Sequence, residues 1–193
     1  LYAGGLSSPL SRNTIDATDI ASLGSSQDFG DLSAAAYFNS GVSSSVRGVF
    51  TIGNDGGSYN GNIDYVTLSS QGNGQDFGDL GTATNPDGAG NSIRGIFSGG
   101  TSPAYTNTIQ YLTIATTGNA QDFGDLPVAK GMAGSVSSPI RHIHMAGRNS
   151  GGSMIDEMDY VTIMTTGNAI SFGEIVGSDR FRPTSASNGH GGL

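Results

Sequence analysis

Short hydrophobic runs alternate with small and polar residues along the whole chain. The runs are 4–7 residues long and rich in Ile, Val, Tyr, Phe and Thr, and clusters of Gly, Asn, Ser and Pro separate them. Runs of β-branched and aromatic residues bounded by turn-forming residues are typical of β-strands. No window carries the 3.6-residue period of an amphipathic helix over a useful length. The pattern therefore predicts an all-β protein.

Three sequence markers recur in one order, every 46 to 49 residues. The first marker is Gln-Asp-Phe-Gly-Asp-Leu, at 27–32, 75–80 and 121–126, with a degraded copy at 171–175. The second marker is Arg-Gly followed by two hydrophobic residues, at Arg47 and Arg94, with a variant at Arg141. The third marker is strand-like and begins at Ile15, Ile63, Ile109 and Met158. We therefore divide the chain, as one domain spanning 1–193, into repeat units at about 1–41, 42–88, 89–133 and 134–193.

A run of small residues precedes each Arg-Gly marker, as at 41–44 and 134–137. A strand of Gly, Ala and Ser suits a place where backbones approach closely, such as the innermost strand of a radial array. Each unit thus supplies four short strands. Four strands at a period of 40–50 residues is typical of a β-propeller blade.

The repeat resembles the kelch repeat. The run from Arg94 to Gly100 is similar to the kelch run that ends in a glycine pair, and the strand around Tyr111 resembles the strand that carries the kelch tyrosine. The Phe of the first marker stands where kelch repeats have Trp. The absence of Trp and the single glycines at Gly53 and Gly147 depart from the usual pattern. The resemblance implies a kelch-like propeller of four four-stranded blades.

The two ends of the chain predict how such a ring closes. Residues 1–5 match 96–100, and residues 190–193 match the Arg-Gly marker that comes just before that point. Pairing of the N-terminal and C-terminal strands would then complete one blade and remove the exposed strand edges. The alternative is that the four units are four blades of a larger propeller.

Two kinds of side chain recur from unit to unit and are expected to be structural. The aromatic residues of the first marker are expected to fill the gaps between blades; they are Phe29, Phe77, Phe123 and Phe172. The arginines of the second marker are expected to pair with carboxylates or backbone carbonyls between blades; they are Arg47, Arg94 and Arg141, with His190 in the fourth unit. A ring of arginines that binds an anionic ligand at the channel mouth is the alternative. One Asp of each first marker is expected to cap a tight turn rather than bind a metal.

No catalytic residue, metal site or cofactor is predicted. Gly-x-Ser-x-Gly and glycine-rich phosphate loops are absent. His142 and His144 share one face of a strand and could together bind a metal, but replacement of a hydrophobic pair is the favoured interpretation. A glycan-processing enzyme would need converging carboxylates, such as Asp159 or Glu157 with a partner from another blade.

The loops between the second and third strands of the units carry the candidate ligand-binding residues. Tyrosines surrounded by Asn, Ser and Gly are typical of recognition loops, although ordinary solvated loops have the same composition. The candidates are Tyr59, Asn60, Tyr105, Asn107 and Arg148.

The composition of the chain excludes several classes of partner and of stabilising bond. The chain has 8 Lys and Arg against 16 Asp and Glu, so it lacks the positive charge that binds nucleic acid. It has no Cys, which excludes disulfides and thiolate zinc sites. No stretch reaches the ~18 apolar residues that span a bilayer, so membrane insertion is not expected.

The sequence favours a non-enzymatic structural or binding module. The motifs Tyr-Val-Thr-Ile, Thr-Thr-Gly-Asn-Ala and Arg-Gly-Ile-Phe also resemble repeats in structural and fibre proteins of tailed, especially marine, bacteriophages. This resemblance implies a virion or extracellular location, a host-surface glycan or protein as ligand, and other virion subunits or further copies of the chain as partners. A glycan-processing propeller enzyme and a protein-binding kelch adaptor are the alternatives.

Overall fold

The computed structural model describes residues 1–7, 10–54, 59–81, 85–177, 180 and 182–187. These residues form strands and turns and contain no helix, so the all-β prediction is confirmed. Within them, nothing helical is long and apolar enough to cross a membrane. The strands of the first half are β1 (Tyr2–Ala3), β2 (Leu6–Ser7), β3 (Leu10–Ala17), β4 (Gln27–Ala36), β5 (Gly41–Ser43), β6 (Arg47–Thr51), β7 (Asn62–Thr67), β8 (Gln75–Asp79) and β9 (Asp87–Gly90). Those of the second half are β10 (Arg94–Ser98), β11 (Thr108–Thr113), β12 (Gln121–Asp125), β13 (Lys130–Gly131), β14 (Gly134–Ser137), β15 (Arg141–Met145), β16 (Arg148–Asn149), β17 (Glu157–Thr162) and β18 (Ile170–Glu174).

The strands assemble into four consecutive antiparallel sheets, which we call sheets I to IV. Sheet I has β3 at its centre, paired with β4 on one side and with β1 and β2 on the other. Sheets II, III and IV are meanders in the orders β5-β6-β7-β8, β9-β10-β11-β12 and β14-β15-β17-β18. The short strands β13 and β16 pair beside sheet IV. We call β5, β9 and β14, the small-residue strands, the inner strands.

The register repeats from sheet to sheet. Arg47, Arg94 and Arg141 stand opposite Thr67, Thr113 and Thr162. Between the third and fourth strands the register shifts at the same repeat position in all four sheets. The shift lies beside the glycine of the first marker, which has positive φ, for example 138° at Gly78. A bulge that depends on a left-handed glycine explains why this glycine accompanies every copy of the marker.

Consecutive sheets are joined by one repeated junction. The glycine N–H of the turn between the third and fourth strands donates to the Phe carbonyl of the preceding sheet. The three bonds run from Gly72 to Phe29, from Gly118 to Phe77 and from Gly167 to Phe123, at 2.9, 2.7 and 2.8 Å. The asparagine after each of these glycines accepts, through its side chain, a backbone N–H from the strand that carries the Phe. The pairs are Asn73 with Asp31, Asn119 with Asp79 and Asn168 with Asp125. These junctions hold sheet I to II, II to III and III to IV.

Three hydrophobic clusters fill the space between consecutive sheets. The cluster between sheets I and II includes Phe29 and Ile52, that between II and III includes Phe77 and Phe97, and that between III and IV includes Phe123 and Ile163. The core is therefore divided into layers between sheets, each of which contains the Phe of the first marker.

Residues 182–187, which we call the C-terminal segment, lie beside β14, the inner strand of sheet IV. The N–H of Arg182 donates to the carbonyl of Met132, and the hydroxyl of Ser185 donates to the carbonyl of Ser135 at 2.9 Å. The guanidinium carbon of Arg182 lies 4.9 Å from the centroid of the Phe38 ring, which precedes β5. Residues 190–193, on which the predicted pairing of the chain ends depends, lie outside the described residues.

Candidate functional site

A cavity of about 310 Å³ opens where the inner strands begin. It is bounded by residues that precede β5, β9 and β14, by the C-terminal segment and by the loops after β6 and β10. The lining residues are Phe38, Asn39, Ser40, Tyr59, Asn85, Pro86, Asp87, Thr101, Met132, Ala133, Arg182 and Pro183. We call this cavity the central pocket. A concave site with mixed aromatic, apolar and polar lining is the usual form of a small-ligand site.

Four residues of the central pocket share an unusual backbone conformation. Phe38, Asn85, Met132 and Arg182 have φ values of 60°, 62°, 55° and 54°. Each stands at the same place in its repeat, just before the small-residue run. A non-glycine residue in the left-handed region is uncommon and carries strain, and such residues cluster at functional sites. The repeat thus brings four equivalent backbones to one pocket with four different side chains: aromatic, amide, thioether and cationic.

Asp87 connects the pocket to buried histidines. Its Oδ2 accepts the N–H of Ala133 at 3.0 Å and lies 3.3 Å from Nε2 of the buried His144. His142 is also buried, with Nε2 3.0 Å from the Ser98 hydroxyl. Burial, and then the charge of His144, lowers the pKa of His142 to about 3. A neutral His142 at ordinary pH is therefore part of the packing between sheets III and IV.

The two histidines do not replace a hydrophobic pair as the sequence suggested. His144 takes the position of Phe97 in sheet III, whereas His142 takes that of Gly95, as their opposite residues on the next strands indicate. Among the described residues, no three His, Asp or Glu side chains come together in a way that could hold a metal.

Asp159, one of the two carboxylates considered for an enzyme, lies in a structural position. Asp159 Oδ2 is 2.8 Å from Nζ of Lys130, and both side chains are buried. The same ammonium donates to the backbone carbonyl of Glu157 at 3.1 Å. Asp64 and Gln110, at the equivalent position of sheets II and III, likewise bind the preceding sheet, through Ser33 and Gly81. Asp159 therefore helps to hold sheet IV to the preceding chain and does not line the central pocket.

Of the predicted loop residues, Tyr59 alone is among those that line the central pocket, and it is 49% exposed. Asn60 accepts the N–H of Asn62 through its side chain, and Asn107 Nδ2 donates to the carbonyl of Leu126 at 3.4 Å. Arg148 donates from Nε to the carbonyl of Gly152 in its own loop. Tyr105 is half-buried in the loop after β10. The structure thus does not bring these four residues into one site with Tyr59.

The Phe residues of the first marker differ in burial. Phe29, Phe77 and Phe123 are buried in the three clusters between sheets, and the rings of Phe77 and Phe123 meet Tyr65 and Tyr111 edge to face. Phe172 is 47% exposed, so the gap-filling role predicted for it is wrong in this structure. The physical reason is that no described strand of another sheet covers this face of sheet IV.

The repeated arginines lie over tyrosine rings of their own sheets. The guanidinium carbons of Arg47, Arg94 and Arg141 are 4.6, 4.4 and 4.8 Å from the ring centroids of Tyr65, Tyr111 and Tyr160. Arg47 also donates to the carbonyl of Ile114, and Arg94 to that of Ile163, at 3.1 and 3.2 Å. These two bonds reach the next sheet, as a carbonyl-binding arginine between sheets would. None of the three lines the central pocket.

The first marker is a strand in every sheet. Asp76 accepts the N–H of Gly78 at 3.2 Å, a local bond of the kind expected for a capping Asp, but within β8. The junctions made by the turn glycines Gly72, Gly118 and Gly167 were not predicted from the sequence.

The sequence did not predict four of the residues that line the central pocket. Phe38, Asn85, Met132 and Arg182 have unrelated side chains, so no motif marked them. Their spacing along the chain, 47, 47 and 50 residues, was the one available signal. No protein-family model matches the chain, and no curated protein matches its sequence.

Proposed function

We propose that sheets I to IV are the four blades of a kelch-like β-propeller around the central pocket. Support comes from the three equivalent junctions, which join each sheet to the next through the same two hydrogen bonds. The segment around Arg182 and Ser185 adds to this, because it lies where a fourth inner strand would stand, in contact with both Met132 and Phe38. Four blades of a larger propeller is the alternative arrangement.

We propose further that the chain is a non-enzymatic binding module whose ligand is a glycan. The observation that carries this is the central pocket. It offers the partly exposed rings of Tyr59 and Phe38 beside the polar groups of Asn39, Asn85 and Asp87. Aromatic faces suit the C–H faces of sugar rings, and side-chain amides and carboxylates suit their hydroxyls.

A binding role is favoured over glycan processing by the position of the carboxylates. A glycosidase needs two carboxyl groups that face one substrate. Asp87 is the single carboxylate that lines the central pocket within the described residues, and Asp159 is engaged with Lys130. No cofactor or metal is part of the proposal.

The biological setting of the proposal rests on the phage-like repeats. We propose a virion or extracellular module that attaches to a host-surface glycan and contacts other virion subunits or further copies of itself. A protein ligand on the host surface is the second candidate, because the same loops could present a broad face to a protein.

A glycan array probed with the purified chain, with and without divalent cations, tests the function. We expect selective binding that does not require the cation and is lost in Tyr59→Ala. Tyr105→Ala is the matched comparison, because Tyr105 is a loop tyrosine outside the central pocket. Loss of binding in Tyr105→Ala alone would move the site to the loop after β10. Binding to no glycan would contradict the glycan proposal.

A further inference from the structure

We propose that the ligand of the central pocket is an acidic sugar whose carboxylate is bound by Arg182. This inference rests on the proposed glycan-binding function and names the class of glycan. The lining of the central pocket, the position of Arg182 over the Phe38 ring, and the lack of a carboxylate partner for Arg182 among the described residues support the inference.

Arg182 is the one cation that lines the central pocket among the described residues. The ion pairs in that part of the chain are Lys130 with Asp159 and His144 with Asp87, so Arg182 has no carboxylate partner there. Asp87, the nearest acidic group of the lining, uses Oδ2 for Ala133 and His144. The positive charge of Arg182 is therefore available to a ligand.

The position of Arg182 suits a carboxylate. Its guanidinium lies over the Phe38 ring, with 4.9 Å between the guanidinium carbon and the ring centroid. A guanidinium held by a cation–π contact keeps its N–H donors, and two of them can donate side by side to the two oxygens of a carboxylate. The main-chain bond from Arg182 to Met132 holds the segment at the pocket.

Other residues of the pocket lining suit hydroxyl groups. Asn85, which donates from Nδ2 to Thr101 Oγ1 at 3.2 Å, and Ser40 bring an amide and a hydroxyl to the lining. Side chains of this kind suit the hydroxyl groups of a sugar. The rings of Phe38 and Tyr59 and the side chain of Met132 belong to the same lining. A ring with hydroxyls, an apolar face and one carboxylate matches this set, which is the chemistry of uronic and sialic acids.

Four unlike groups at equivalent backbone positions also favour an asymmetric ligand. If the pocket held a symmetric or purely structural group, one residue type could serve all four positions. Instead, the cation of Arg182 and the amide of Asn85 occupy two of them, and the apolar Phe38 and Met132 occupy the others. Each of the four side chains would then contact a different part of one sugar.

The test compares acidic glycans with their neutral counterparts. The array carries uronic-acid and sialic-acid glycans beside their carboxyl-reduced or desialylated parents, and the strongest acidic glycan is then titrated by calorimetry. We expect the acidic form to bind at least about tenfold more tightly, since a charge-assisted hydrogen bond is stronger than a neutral one. Arg182→Gln should remove this preference, and Arg182→Lys should keep part of it. Arg12→Gln, which removes the same charge from an exposed position outside the pocket lining, should leave it unchanged.

The outcomes separate the two proposals. Equal binding of acidic and neutral forms, or an acid preference that survives in Arg182→Gln, overturns the role of Arg182 and leaves the glycan-binding function standing. Binding to no glycan at all overturns both. Far-ultraviolet circular dichroism establishes whether each variant is folded. If Arg182→Gln does not fold, Arg182→Lys provides the second variant.

Discussion

Phe77 and Phe172 occupy the same position of the repeat in different surroundings. Phe77 is 2% exposed and packs between sheets II and III, whereas Phe172 is covered by no described sheet. Removal of a buried Phe side chain loses its transfer free energy and leaves a cavity. We expect Phe77→Ala to lower the free energy of unfolding by about 3–5 kcal/mol and Phe172→Ala to have a much smaller effect. Urea denaturation of the two variants beside the parent chain measures the difference.

Equal losses in the two variants would contradict this prediction. They would mean that Phe172 is buried in solution, as it would be if sheet IV packed against sheet I. The pair of variants therefore also reports on the fourth gap between sheets.

His142 predicts a pH dependence of stability. Its pKa is lowered to about 3 by burial and by the charge of His144, whereas a histidine in the unfolded chain titrates near 6.5. Between these values the unfolded chain binds a proton that the folded chain does not, so the free energy of unfolding falls as the pH falls. This contribution is fully present above pH 6.5 and decreases by about 1.4 kcal/mol per pH unit below it.

The matched variant is His142→Gln, which keeps a hydrogen-bonding side chain for Ser98 and does not titrate. We expect a shallower loss of stability between pH 6.5 and pH 4 in this variant, measured by urea denaturation at each pH. Identical slopes in the parent chain and the variant would show that His142 is not held neutral by the fold.

Burial at the residue scale was partly predictable from the sequence. A Phe that recurs in a hydrophobic strand is expected to be buried, and three of the four are. The exposure of Phe172 could not be predicted, because it depends on whether another sheet covers it. The polar loops identified Tyr59 but not Phe38 or Arg182, whose shared property is a backbone angle rather than a side-chain type.

At the scale of elements, the glycine of the first marker serves two purposes that a substitution can separate. Gly78 has positive φ, and a Cβ on it would lie 2.5 Å from the carbonyl carbon of Gly118 in the next sheet. Gly173 has a similar φ of 141°, but a Cβ on it would meet nothing closer than Met158 Cε at 3.8 Å. The two glycines thus share the backbone requirement and differ in the contact at the junction.

We expect Gly173→Ala to cost about 1–3 kcal/mol, the usual penalty for a strained backbone. Gly78→Ala should cost this and, in addition, the roughly 1–3 kcal/mol of a steric overlap that forces sheets II and III apart. Thermal and urea unfolding of both variants measure the two effects. Equal costs would show that the junction tolerates a side chain and that φ alone selects glycine.

The strand order of the sheets was predictable because the markers recur in order and each carries strand-forming residues. The junctions were not, since they pair a glycine of one repeat with a Phe carbonyl of another about 40 residues away, and both bonded groups belong to the backbone. Sheet I departs from the predicted order, because the hairpin of β2 and β3 extends it where the other sheets have loops.

At the scale of the molecule, the described residues form three junctions, and Gly24 and Phe172, which would form a fourth, are not joined by the corresponding hydrogen bond. Sheet IV presents the exposed Phe172. Sheet I presents the counterpart turn around Leu23 and Gly24, next to an exposed Ile20. If the four sheets form a closed ring, these halves should meet as the other three do, with Ser25 in the position of Asn119 and Glu174 in that of Asp79.

An engineered disulfide tests this closure. The chain has no cysteine, so Ser25→Cys with Glu174→Cys introduces a single pair. Asn119→Cys with Asp79→Cys is the control, because the side chain of Asn119 already accepts the backbone N–H of Asp79 at 3.1 Å. We expect both pairs to form disulfides within one chain, detected by non-reducing electrophoresis and mass spectrometry of the linked peptides.

The nature of a failure would be informative. If the control pair forms within one chain and the Ser25–Glu174 pair forms only between chains or not at all, sheets I and IV do not close on each other. Each would then need another unit of the same kind at its free face, which is the geometry of a larger propeller. Closure within one chain would instead bring Ile20, Leu23 and Phe172 out of water together, and Phe172→Ala should then become as costly as Phe77→Ala once the disulfide has formed.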